Sequence, residues 1–237
     1  TFDSNQANDH AGAVFGYTTP GKPSTTIIDR CTFDGNRVNG GHGQAGGMYS
    51  LNGTLTLSNS TFSGNQGTSN GGGVAIANSS SLVANCTFQG NSAVLGAGIH
   101  NGAGNLSVIN VTLAQNAASA FAGALWAPLG TATIQNSILS FNTGVNAAAG
   151  TQVNESCAGG ANIQAPVGNK PASSSGTTFT ANAMLGALAN NGGTTQTMKP
   201  SAGSPVINLA GVTGAPLLDQ AGNPRNGAPD AGACEGP

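Results

Sequence analysis

Asn59-Ser60-Thr61-Phe62-Ser63-Gly64-Asn65 is not a unique stretch. The heptad returns as Asn85-Cys86-Thr87-Phe88-Gln89-Gly90-Asn91 and, with Leu in the fourth slot, as Asn110 to Asn116 and Asn136 to Asn142. Arg30 to Asn36 repeats it with Arg30 in the first slot, and Phe2 and Asn5 keep its Phe-x-x-Asn spacing. The fourth-slot residues Phe2, Phe33, Phe62, Phe88, Leu113 and Leu139 lie 31, 29, 26, 25 and 26 residues apart. A period of this size signals stacked supersecondary units, each too small to bury a core alone.

Within one period the pattern is three short strands and three polar corners. Thr54-Leu55-Thr56-Leu57 alternates, Asn59 turns, Ser60-Thr61-Phe62 is a second strand, and Gly64-Asn65 turns again. The run Gly71-Gly72-Gly73 then leads into a third strand, Val74-Ala75-Ile76, with counterparts at Ala13 to Phe15, Met48-Tyr49, Gly98 to His100 and Ala124 to Trp126. The chain is therefore expected to be all-β, a parallel β-helix of about 25–31 residues per coil, right-handed because parallel connections overwhelmingly are. Regular coils are assigned to 1–142, an irregular coil and loops to 143–184, and a C-terminal cap to 185–237. Such a cap is needed where a solenoid ends in apolar surface and unpaired edges.

Two residue files follow from the stacking. Phe33, Phe62, Phe88, Leu113 and Leu139 are expected to form one inward core file. Asn36, Asn65, Asn91, Asn116 and Asn142 are expected to stack as a structural ladder, since Asn tolerates left-handed backbone and can pass amide hydrogen bonds from rung to rung. Cys31 and Cys86 share the second slot with Ser60 between them. At roughly 4.8 Å per rung their Cα atoms lie about 9.6 Å apart, beyond the reach of about 7 Å for a disulfide. They read as unpaired fillers. Cys157 and Cys234 fall outside the repeats, where a bridge between them would tie down the tail.

Composition narrows the function. Charged residues make up 6% of the 237 residues, against about 25% in an ordinary domain. A net charge of −2 with six scattered Lys and Arg argues against nucleic acid as a partner. No apolar run of 18 residues or more occurs, so membrane insertion by a helix is not expected. A surface poor in Lys and Glu suits a secreted or cell-surface protein. The chain begins inside a repeat without Met, as expected of a mature or trimmed piece whose secretion signal lies outside it.

Chemistry has few residues to work with. Carbohydrate hydrolysis needs paired carboxylates, and within the coils these are confined to Asp3, Asp9, Asp29 and Asp34. Asp29, Arg30, Asp34 and Arg37 cluster at one corner, but consecutive strand residues face opposite ways, so the cluster reads as surface ion pairing. His10 and His42, with Asp9, Arg37 and Lys22, lie near two insertions, Gly16 to Ser24 and Asn39 to Ala45. No convergent ligand spacing appears, so neither metal nor cofactor is expected. Asp219, Asp230 and Glu235 near Arg225 read as ion pairs locking the cap. Thr54-Leu55-Thr56 and Thr131-Ala132-Thr133 suggest an ice-binding rank, but Ser81-Leu82-Val83 and Leu106-Ser107-Val108 would break it. Tyr17, Tyr49 and Trp126 could hold surface glycans, although no side-by-side row is evident and packing is the plainer use. Seven Asn-x-Ser/Thr triplets, among them Asn78 and Asn105, follow from composition.

Leu185 to Leu188, Asn190 to Thr194 with Thr197, Gly203 to Ile207, Asp219-Gln220 with Gly222 and Arg225, and Asp230 with Gly232, Ala233 and Glu235 resemble the choice-of-anchor Q domain of secreted and surface bacterial proteins. Asn208 stands where that pattern has Asp, and Ala221 where it has Arg. The repeats, through Phe62 to Asn65 and Gly72-Gly73-Val74-Ala75-Ile76, are similar to those of right-handed β-helix surface proteins such as polymorphic outer-membrane autotransporter passengers. The resemblance implies export and a role in adhesion or surface architecture. The expected function is a non-enzymatic structural or adhesive rod that self-associates end to end into a filament. The start of the chain inside a coil is equally compatible with removed upstream coils. The rival is a β-helix that binds or cleaves polysaccharide.

Overall fold

A computed structural model describes residues 1–19, 21–22, 24–41, 43–144, 160–166, 177–225 and 227–237. The described residues are all-β, with no helix, and their parallel strands stack into a solenoid. Eight strands make a first sheet from the heptads: Phe2–Asp3, Thr32–Asp34, Thr61–Ser63, Thr87–Gln89, Thr112–Ala114, Ile138–Ser140, Asn162–Ala165 and Thr177–Phe179. The last two show that the solenoid continues past the regular repeats into 162–165 and 177–179. A second sheet collects the strands on either side of the next corner. In two coils they run on as single strands, Met48–Ser58 and Val74–Ala84, bent at Asn52 (φ 62°) and Asn78 (φ 54°). A smaller parallel sheet of Ser92–Leu95, Ala117–Phe121 and Thr143–Gly144 lies on the remaining side.

Register puts the fourth-slot residues in one file. Phe2 pairs with Phe33, then Phe62, Phe88, Leu113 and Leu139 follow rung by rung. The rings of Phe33 and Phe62 stack at 4.4 Å and 5°, and those of Phe62 and Phe88 at 4.9 Å and 9°. All five expected members, Phe33 through Leu139, are fully buried. Gly47, Gly73 and Gly98, before three of the third strands, leave room for Phe62, Phe88 and Leu113 of this file. A methyl group on Gly73 would sit 2.7 Å from the Gly98 carbonyl oxygen and 2.9 Å from the Phe88 ring.

The corner asparagines divide their work in a way the heptad alone does not reveal. Left-handed backbone belongs to the first and sixth slots, not the seventh. Asn59, Asn85, Asn110 and Asn136 have φ of 47–52°, and Gly35, Gly64 and Gly90 have φ of 59–64°. Both residue types enter that region at low cost. The seventh-slot residues Asn36, Asn65, Asn91, Asn116 and Asn142 are instead fully buried. Each Nδ2 from Asn36 to Asn116 donates to the Oδ1 of the next, at 2.8–2.9 Å. Each of these Nδ2 atoms, and that of Asn142, also donates to the carbonyl of the fourth-slot residue one coil back. Asn5 joins the ladder by donating to Asn36.

In the second slot the Cys31 and Cys86 thiols donate to the carbonyl two residues earlier, as the Ser60 hydroxyl does. Burial pushes the Cys86 thiol up to about 12 and the Cys234 thiol up to about 11. Cys234, one half of the bridge considered above, is buried and carries a free thiol. Its sulfur turns inward and donates to the Glu235 carbonyl. Cys157, the other half of that pairing, lies outside the described residues. Thiolate is the reactive form. Among the described cysteines, brief alkylation of the native chain followed by peptide mass mapping should therefore label the partly exposed Cys31 first. Equal native labelling of Cys86 would contradict the packing.

Residues 185–237, expected to cover the end of the solenoid, lie along its flank. The reason is the third slot, whose threonines point outward and need partners. Thr61 donates to the Gln196 carbonyl, Thr87 to Gln220 Oε1, and Thr112 accepts from the Ala233 amide. One coil further on, Asn136 donates to the Gly211 carbonyl. Gln220 Nε2 closes the network on Thr61 and Thr195. The tail thus bonds to four successive coils and buries their threonine file. Within the described residues of the tail, the ion-pair lock reduces to one pair. Arg225 pairs with Glu235 and also donates to Asp230 O, Gly232 O and Asn85 Oδ1. Burial pushes the Glu235 carboxyl up and the Arg225 guanidinium down, while their mutual attraction opposes both shifts. Asp219 and Asp230 take no part in that pair. Asp219 accepts the amides of Asn223 and Glu235, and Asp230 those of Asn208 and Gly236.

Candidate binding face

The third strand of each coil alternates inward and outward. Met48, Val74, Ile99 and Leu125 enter the core, while Phe15, Tyr49, Ala75, His100 and Trp126 form one outward file by register. Two positions on, Tyr17, Leu51 and Ala77 make a second file. Neither file contains Asp, Glu, Lys or Arg.

The aromatics that looked scattered in sequence converge here. Phe15 stacks on Tyr49 at 5.3 Å and 14°, Tyr17 lies 6.2 Å from Phe15, and the His10 ring meets Phe15 edge-on at 4.6 Å. Phe15 remains 40% exposed and Tyr17 57%. At the other end of the file Trp126 stacks on Phe121 at 4.8 Å. The absence of a side-by-side row is thus corrected. Phe15 and Tyr17 lie on the same strand face, with Tyr49 one rung away, although 32 residues separate Tyr49 from Tyr17. A signal existed in the sequence: Phe15 and Tyr49 both follow the first inward residue after the glycine corner. Phe121, from the smaller sheet, had none.

His100 lies in the file between Ala75 and Trp126, 8% exposed, and its ring makes no hydrogen bond to any described residue. Burial pushes its imidazole down from 6.5 to about 4. The folded chain thus holds fewer protons than the unfolded chain between those values. The stabilisation is full above pH 6.5, declines as the pH falls towards 4, and is gone below both values. A shift of this size is worth up to about 3 kcal/mol. Urea denaturation at pH 7.5 and 4.5 should show that loss, and His100→Gln should remove much of it. An unchanged pH slope in the variant would show that other groups carry it.

The other sites considered do not assemble a reactive centre. Asp29 and Arg30 do meet, at 2.9 Å, contrary to the alternation argument. The strand ends at Asp29, and the left-handed φ of 51° at Arg30 swings its side chain back. Asp29 also accepts from Ser58 and Asn59. Its carboxyl is held below the usual value by these bonds and by Arg30, against the opposing effect of desolvation. Asp34 accepts from Ser63 rather than joining the cluster. His10 bonds Asp9 at 3.0 Å, and His42 lies outside the described residues. Among the described residues, no three His, Cys, Asp or Glu side chains are grouped to hold a metal.

A hydroxyl-rich face flanks the aromatic one, but its register differs from the expected one. Thr54 pairs with Ser80 and Thr56 with Leu82, while Asn105 pairs with Thr131 and Ser107 with Thr133. Ser81 and Leu106 occupy the inward file with Leu55. The threonine rank is still interrupted, by Leu82 and Asn105. Among the Asn-x-Ser/Thr triplets, Asn78 and Asn105 are exposed whereas Asn85 and Asn110 are buried. No helix of the described residues is long and apolar enough to cross a membrane. No protein-family model matches this chain, and a search of curated proteins finds no relative.

Proposed function

We propose that this β-solenoid is a non-enzymatic extracellular or cell-surface rod with a structural and adhesive role. One observation carries the reading: a rigid, almost chargeless scaffold presents one uncharged face with clustered, partly exposed aromatic rings. The described carboxylates support the non-enzymatic part, because each is committed locally. Asp219 and Asp230 hold backbone amides, Glu235 holds Arg225, Asp29 holds Ser58, Asn59 and Arg30, Asp34 holds Ser63, and the exposed Asp3 and Asp9 bond Ser4 and His10. The resemblance of the repeats to surface β-helix proteins and the low content of Lys and Glu support the extracellular part.

Head-to-tail association into a filament is the finer form of this reading. Each rung repeats the backbone and amide pairing of its neighbours, so one rod can offer another the partners that it offers itself, and a contact that does not close makes an open fibre. Negative-stain microscopy of native material, with fractionation of the producing cells, tests both statements. Rod-width filaments in the medium or on the surface are expected. Isolated short rods would remove the filament, and recovery only from cytoplasm would overturn the extracellular reading.

A further inference from the structure

We propose that the third-strand face binds an uncharged polysaccharide laid along the rod from Phe15 to Trp126. The proposal rests on the adhesive-rod reading and names what the rod holds. Four rungs separate the two ends, about 19 Å at the usual strand spacing, which is room for a short oligosaccharide rather than a single sugar.

The ends and the middle of the file differ in a way that suits a sugar chain. Pyranose rings have apolar C–H faces edged with hydroxyls, and aromatic ring faces, being electron-rich, attract such C–H groups. Phe15 and Tyr17 present that surface at one end, backed by Tyr49 and braced by His10. Trp126, backed by Phe121, presents it at the other. Between them Ala75 is buried against Ala45 and Tyr49, and the partly exposed Ala77 leaves the interval low, with Leu51 the longer side chain beside it. His100, nine-tenths buried, lies in that interval with its ring unbonded to any described residue. A neutral imidazole has one donor and one acceptor nitrogen, which is what a sugar hydroxyl pairs with.

Charge separates this ligand from acidic glycans. An anionic polymer needs Lys or Arg along its path, and neither outward file holds one. A hydrophobic protein partner is the other occupant an aromatic patch could take. It would fill the low interval at Ala77 with its own side chains, and it has no use for the unbonded imidazole beside it.

Affinity electrophoresis of the full chain tests the proposal, in native gels cast with dextran, galactomannan, mixed-linkage β-glucan, xylan or polygalacturonate. Retardation is expected in at least one neutral gel and not with polygalacturonate. Tyr17→Ala and Trp126→Ala should each weaken it at least tenfold, and His100→Leu several-fold, while Leu129→Ala, exposed and outside both files, leaves it unchanged. Circular dichroism melts confirm that Tyr17→Ala is folded, and the exposure of that ring makes it the variant safest from misfolding. Unretarded migration in all four neutral gels, or retardation that both aromatic variants retain, overturns the proposal. Stronger retardation by polygalacturonate does the same. Failure here is distinct from failure of the rod reading: rods that coat cells without neutral-glycan retardation sink only this inference.

Discussion

Asn91→Ala lowers the unfolding free energy by about 3–5 kcal/mol. Asn91 Oδ1 accepts from both the backbone amide and Nδ2 of Asn65, at 3.0 and 2.9 Å. Its Nδ2 donates to the Phe62 carbonyl and to Asn116 Oδ1, each at 2.9 Å. Truncation therefore strands two buried donors on Asn65, and a stranded buried group costs about 1–3 kcal/mol. The residue is fully buried, and a methyl group leaves little room for water to replace the amide. Asn91→Asp is the sharper variant. It keeps the shape but removes both donors and sets a carboxylate oxygen against two acceptors, so it should be no more stable than the alanine variant. Asn105→Ala, at an exposed position, should stay within about 0.5 kcal/mol of the parent. Urea denaturation reads all three, and a ladder variant that behaves like Asn105→Ala would show that the amide stack is incidental.

Phe62→Ala costs a comparable amount for a different reason. The ring is fully buried between Phe33 and Phe88. Removing a buried Phe side chain costs about 3–5 kcal/mol through lost transfer energy and the cavity left behind. Two nearly parallel stacked contacts also go, each worth about 0.5–1.5 kcal/mol beyond burial. Phe62→Leu should cost only about 1–2 kcal/mol, because the chain itself places Leu113 and Leu139 in this file. The ratio of the two losses is the informative quantity. Equal losses would mean that neighbouring coils do not clasp the site as the register requires.

These two positions were visible in the heptad because a solenoid writes its contacts locally. Residue i touches its equivalent one period away, so a column of Phe or Asn in the text becomes a column in space. The backbone role of each asparagine was less visible. First-slot Asn59 and seventh-slot Asn65 are the same residue type at two corners, and only φ and burial distinguish a turn former from a ladder member.

The candidate face was partly legible. Phe15, Tyr49, His100 and Trp126 hold equivalent slots, yet insertions in the first two coils hide the equivalence. The charged corner misled for a related reason. Alternation holds along a strand, but Asp29 is the last strand residue and Arg30 already turns, so the two side chains meet.

The amino-acid sequence by itself determined the all-β parallel solenoid, its rung length, its core file and its asparagine ladder, since all four repeat at a fixed interval and need no knowledge of distant contacts. Tertiary structure alone decided where residues 185–237 lie, which aromatic rings meet, and which carboxylate pairs with Arg225. Those contacts join positions up to 159 residues apart, such as Thr61 and Gln220. They depend on which outward threonine hydroxyls remain without a partner once the coils have closed, and no interval in the chain records that.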